Sequence, residues 1–149
     1  MPAAISGQIG FRVLVISKAM DTWELGRGYA SEAEALKRIK AVCKTGCITN
    51  NLPANAIGSA SGRTLYVAEV MALFDHVIES AKIGLRKPDP RIYRMMVETL
   101  GVDPARCVYL DDLGVNLKPA REMGMTTIKV LNAAQAIAEL EAATGLTLR

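Results

Sequence analysis

Short apolar runs alternate along this chain with longer segments in which apolar residues recur every three or four positions. Residues 11–16, Phe-Arg-Val-Leu-Val-Ile, read as a strand by their β-branched content. Ser31-Glu32-Ala33-Glu34 has the form of a capping box, and the helix it would open places Leu36, Ile39 and Cys43 on one face. Gly46 interrupts that pattern, so a strand is expected at 47–50, ending in the polar turn Thr49-Asn50-Asn51. Small residues over 54–62 predict a loop, and the spacing of Leu65, Ala68 and Met71 predicts a helix over 64–73. Residues 74–79 form the next strand candidate. Asp89 then caps a helix with Pro90 at its first position, with Ile92, Met96 and Leu100 facing inward and Gly101 just past its end. The apolar run 107–111 predicts a strand, 116–123 a helix followed by Gly124, and 126–131 another strand. Asn132 caps a last helix whose face is Ile137 and Leu140 and which Gly145 closes. Strands alternating with helices of this length indicate βαβ units on a parallel sheet.

Size and composition narrow the class. The 149 residues are enough for one domain with one substantial core. Half of them are hydrophobic, yet no apolar run approaches the length of a membrane span, so no membrane association is expected. The first residues lack the basic start and cleavage pattern of a secretory signal, and a cytoplasmic location is the expectation. A net charge of +3 arises from 18 basic residues scattered among 15 acidic ones, without the basic stripe that a nucleic-acid partner requires. Cys43, Cys47 and Cys107 are odd in number and lack zinc-type spacing, so they are read as structural thiols. His76 is the only histidine, which excludes a site built on two histidines.

The polar residues that matter stand just past the strand candidates. Thr49 and Asn50 follow one, Lys87 lies beyond the next, and Asp111 and Asp112 end a third. Ligands of open parallel sheets bind outside the carboxyl ends of the strands, where the fold would gather these side chains. Paired carboxylates suit Mg²⁺, which keeps several waters and takes one or two protein carboxylates plus substrate phosphate. A lysine and short polar donors suit the phosphate itself.

Three ordered stretches, Ile48-Thr49-Asn50-Asn51, Lys87 in GLRKPDPRIY, and Tyr109-Leu110-Asp111-Asp112, resemble the second, third and fourth motifs of the haloacid dehalogenase superfamily of phosphohydrolases. The stretch VYLDDLGVNLKPAREMGMTTIKV is most similar to the N-terminal phosphatase domains of soluble epoxide hydrolases and to related domains linked to acyl-CoA dehydrogenases. The resemblance covers residues 35–148. It implies a three-layer α/β sandwich around a five-stranded, parallel, Rossmann-like sheet in the order 74–79, 47–50, 11–16, 107–111, 126–131, without a complete cap domain. It further implies that Thr49 and Asn50 hold phosphoryl oxygens, that Lys87 neutralises phosphate as a catalytic residue, that Asp112 ligates Mg²⁺ directly and Asp111 through a bound water, and that Asn116 supports the metal site from behind. When magnesium is scarce, Asp112 is expected to bond to water or to Lys87.

The family's first motif, a strand followed by DxD that supplies the nucleophilic aspartate and the acid/base, has no counterpart in this chain. Two alignments remain open. In one, residues 11–16 are the first strand, and Ser17 and Ala19 stand where the two aspartates belong. In the other, residues 1–34 are a cap remnant or foreign sequence preceding a core at 35–149, and the strands left unpaired make a homodimer the expected assembly. The expected function is accordingly a Mg²⁺-dependent phosphatase of small phosphate esters, impaired by the missing nucleophile and with weak magnesium binding. The alternative is a non-catalytic phosphatase-like domain that binds phosphate, metal or a protein partner; the small-molecule partner expected in either case is a phosphorylated one.

Overall fold

The computed structural model describes residues 13–16, 29–50 and 72–148. Its elements are β1 (Val13–Ile16), α1 (Tyr29–Lys40), β2 (Lys44–Thr49), β3 (His76–Glu79), a single turn α2 (Ser80–Ile83), α3 (Pro90–Leu100), a 3₁₀ turn (Pro104–Arg106), β4 (Cys107–Asp111), α4 (Gly114–Glu122), β5 (Thr126–Lys129) and α5 (Ala133–Thr144). All five strands pair in parallel in the order β3-β2-β1-β4-β5, as the resemblance implies. β1 is the central strand, Ile16 lying opposite Cys47 on one side and Leu110 on the other. Ser17, Ala19, residues 51–71 and the helix expected over most of 64–73 lie outside the described residues.

Strands covered on both faces bury successive side chains in two different cores. On one face, Leu36 and Ile39 of α1 and Ile137 and Leu140 of α5 pack against Cys47, Val108, Leu110 and Ile128. On the other, Ile92, Tyr93, Met96 and Leu100 of α3 and Leu117 of α4 pack against Ile48, Ile78, Cys107 and Tyr109. Along β4, Val108 and Leu110 thus serve the first core, and Cys107 and Tyr109 the second.

The punctuation of α3 and α5 follows the sequence. The Asp89 carboxylate accepts a hydrogen bond from the Arg91 amide (2.9 Å), Pro90 occupies the first position, and Gly101 ends α3 at φ 67°. Asn132 and Gln135 form a reciprocal capping box on α5, and Gly145 closes it at φ 75°.

Elsewhere the boundaries move. α1 begins at Tyr29, so Ser31 lies inside the first turn and is not its cap. Glu34, instead of reaching back, pairs one turn onward with Arg38 at 3.6 Å. β2 begins at Lys44 and runs through Gly46, which is therefore no breaker. A Cβ at that position would stand 2.6 Å from Met96 Sδ and 3.2 Å from Leu100 Cδ1, so the glycine lets α3 lie directly on the backbone of β2. α4 begins at Gly114, placing Asn116 within its first turn.

Candidate active site

The carboxyl end of the sheet collects the residues singled out above. Thr49 is the last residue of β2 and is 5% exposed; Asn50 follows it. Both polar ends of the Asn50 amide bond to the main chain of Lys87. Its Oδ1 accepts the Lys87 amide proton (2.9 Å), and its Nδ2 donates to the Lys87 carbonyl (3.2 Å). The Lys87–Pro88 peptide is cis. With its backbone held in this way, Lys87 projects into the protein, and its side chain is only 1% exposed. Its Nζ donates to Asp111 Oδ2 at 3.3 Å.

Asp111, at the end of β4, is itself fully buried. Besides Lys87, its Oδ2 accepts from the Tyr109 hydroxyl (2.9 Å), while Oδ1 accepts from the Leu113 amide (3.0 Å). Tyr109 meets Tyr93 edge to face, ring centroids 5.3 Å apart. The Tyr93 hydroxyl donates to the Asn116 carbonyl at 2.6 Å, tying α3 to the first turn of α4.

Two electrostatic consequences follow. Burial draws the Lys87 ammonium below the usual lysine value, and the nearby Asp111, then Asp112, oppose that shift without cancelling it. Burial likewise pushes the Tyr93 phenol upward, so its proton stays in place and the hydroxyl remains a donor.

Of the residues expected at the site, Lys87 and Asp111 are in direct contact, and Asn50 reaches them through the Lys87 backbone. Thr49 stands at the same end of the sheet. Asn116, 5% exposed, is linked through Tyr93. The hydrogen-bonded carboxylate of Lys87 is Asp111, whereas Asp112 acts on it by charge. The Asn50 side chain bonds at both polar ends to the lysine's main chain. Tyr109 and Tyr93 were not singled out from the sequence. Tyr109 could have been, because it stands two residues before Asp111 on one strand and so shares its face.

The donor set can accept magnesium in a limited way. The described residues contain no group of three or more His, Cys, Asp or Glu side chains placed to hold a metal. Both oxygens of Asp111 accept hydrogen bonds, and Asp112 Oδ1 is buried. One hard oxygen, waters and a substrate phosphate make a set that Mg²⁺ tolerates.

The sequence model of the haloacid dehalogenase-like hydrolases matches residues 12–124. The chain belongs to this family. It is 40% identical over 131 residues to bifunctional epoxide hydrolase 2 of Mus musculus, a match covering 88% of this chain and 23% of that protein. It is 33% identical over 107 residues to phosphatase MT3486 of Mycobacterium tuberculosis, covering 71% of this chain and 48% of that one. The chain therefore spans less than half the length of either relative. A haloacid dehalogenase family enzyme of Bacteroides thetaiotaomicron, crystallised with magnesium and inorganic phosphate, has a similar fold, with a TM-score of 0.54 and 20% identity over 67% of this chain and 51% of its own. No helix among the described residues is long and apolar enough to cross a membrane.

Proposed function

We propose that this haloacid dehalogenase-like domain binds small phosphate esters at the carboxyl end of its sheet, with Mg²⁺ as partner, and that it turns them over slowly. The observation that carries this reading is the buried Lys87–Asp111 pair beside Asp112, with the Asn50 amide fixing the lysine's backbone. A buried ammonium at the mouth of a parallel sheet meets a phosphate dianion with little water to screen it. Thr49 adds a hydroxyl from the neighbouring strand end. Asp112 would hold Mg²⁺ directly and Asp111 through water; the bound ion would supply charge neutralisation at the phosphoryl oxygens.

Slow turnover follows from the central strand. β1 sits between β2 and β4, and the sequence after it reads Ser17-Lys18-Ala19, with no carboxylate in either place where the family has one. A serine offers a neutral hydroxyl where phosphoryl attack uses an aspartate, and it removes one metal-binding oxygen. That same observation favours a second reading, a domain that binds phosphorylated molecules without hydrolysing them. Hydrolysis of p-nitrophenyl phosphate with and without Mg²⁺ separates the two. Slow metal-dependent turnover that Asp112→Ala abolishes supports the first; binding of inorganic phosphate without turnover supports the second. In either case the double substitution Ser17→Asp and Ala19→Asp is expected to raise both turnover and magnesium affinity.

A further inference from the structure

Asp111 and Asp112 stand side by side in the chain, and a hydroxyl helps to fix how the first of them is held. Asp111 Oδ2 receives two donors, the Lys87 ammonium at 3.3 Å and the Tyr109 hydroxyl at 2.9 Å, while Oδ1 receives the Leu113 amide at 3.0 Å. A carboxylate has about four lone-pair sites, and these donors occupy at least three of them. All three donors come from fixed positions. Tyr109 lies on the same strand with its ring against Tyr93, Lys87 is held by Asn50, and Leu113 is the residue from which α4 starts.

We infer that Tyr109 is a positioning residue that holds Asp111 and shares its charge with Lys87, keeping Asp111 out of direct metal contact and leaving that role to Asp112. The inference rests on the phosphate and magnesium site proposed above and assigns it a selector. The Tyr109 hydroxyl takes a share of the Asp111 charge that would otherwise fall entirely on Lys87. With that share removed, Asp111 draws the ammonium closer, and less of its field reaches a phosphate outside. The same loss frees a lone pair on Oδ2 for a cation. Tyr109 therefore moves phosphate and magnesium affinity in opposite directions, which a purely structural role cannot do.

The test is Tyr109→Phe in the full chain, with inorganic phosphate and Mg²⁺ titrated separately by calorimetry and NMR, and with thermal unfolding as the check on folding. Phenylalanine keeps the ring and its contact with Tyr93 while deleting only the donor. Phosphate affinity is expected to fall about tenfold, the scale of one lost hydrogen bond to a charged group, while magnesium affinity rises. Unchanged affinities, or a parallel loss of both, would overturn the inference while leaving the binding site standing. If the wild-type chain binds neither ion, the proposed function falls and the inference with it. Leu140→Ala serves as the control: it opens a cavity on the opposite face of the sheet and is expected to lower stability with no opposed change in the two affinities.

Discussion

The two faces of the sheet are built to different rules. The face under α1 and α5 is closed by Leu36, Ile39, Val108, Leu110, Ile137 and Leu140, all apolar. The face under α3 and α4 carries two fully buried tyrosines within its apolar packing, and at its carboxyl edge the string Tyr109–Asp111–Lys87. The first face is mainly cohesive, although the fully buried Thr45 of β2, on the same face as Cys47, bonds to Asp75. The second gives up some apolar burial to hold charges in fixed places, an exchange justified only where chemistry needs them.

The sharpest way to break this contrast is at Lys87. Lys87→Met leaves Asp111 buried without its cation and is expected to lower stability by about 4 kcal/mol, with loss of phosphate binding, measured by urea unfolding and titration. Adding Asp111→Leu should recover most of the stability and none of the binding. On the opposite face, Leu140→Ala is expected to remove about 3 kcal/mol through the cavity it leaves, while phosphate affinity in the folded protein stays unchanged. If affinity falls with it, the two faces are not independent. Tyr93→Phe is smaller, about 1 kcal/mol for one buried hydrogen bond to the Asn116 carbonyl, and unfolding in urea would show it.

The smallest effect belongs to the exposed cap of α3. Arg91 holds the Asp89 carboxyl down at about 2, chiefly through its side-chain hydrogen bond and then through its amide. The folded value lies below the ordinary 3.8, so the cap's contribution is complete above that value and is lost as pH falls through about 2. The difference in Tm between wild type and Asp89→Ala should therefore stay constant from neutral pH to about 4 and close on further acidification. A difference undiminished at pH 2 would place the effect outside the carboxylate.

What was legible in the sequence is what local chemistry controls. Asp89, Pro90 and Gly101 delimit α3, and Asn132 and Gly145 delimit α5, because caps depend on residues within a turn of each other. Lys87, Asp111 and Asp112 were legible as a set because their order along the chain resembles a family's. Gly46 misled, since a glycine inside a strand cannot be told from a glycine that ends one until the helix it admits is known. The partner of the Asn50 amide was hidden for a similar reason. That partner is 37 positions away, and only the folded chain shows that the amide's hydrogen bonds go to a lysine backbone. Tyr109 looked like an ordinary strand residue because its ring is one, and only its hydroxyl belongs to the site.

The strand order has a consequence for how the chain is made. Of the five described strands, β1 leaves the ribosome before the others, and its neighbours are β2 and the later β4, which ends at Asp111. At synthesis rates of ~5–20 residues per second, the middle of the future sheet keeps one open edge for on the order of several seconds. An unpaired strand edge is a template for pairing with another chain, so this interval is when nascent copies are most exposed to one another. Translation that stops before residue 111 makes that interval permanent, and such products should be recovered with chaperones or in aggregates.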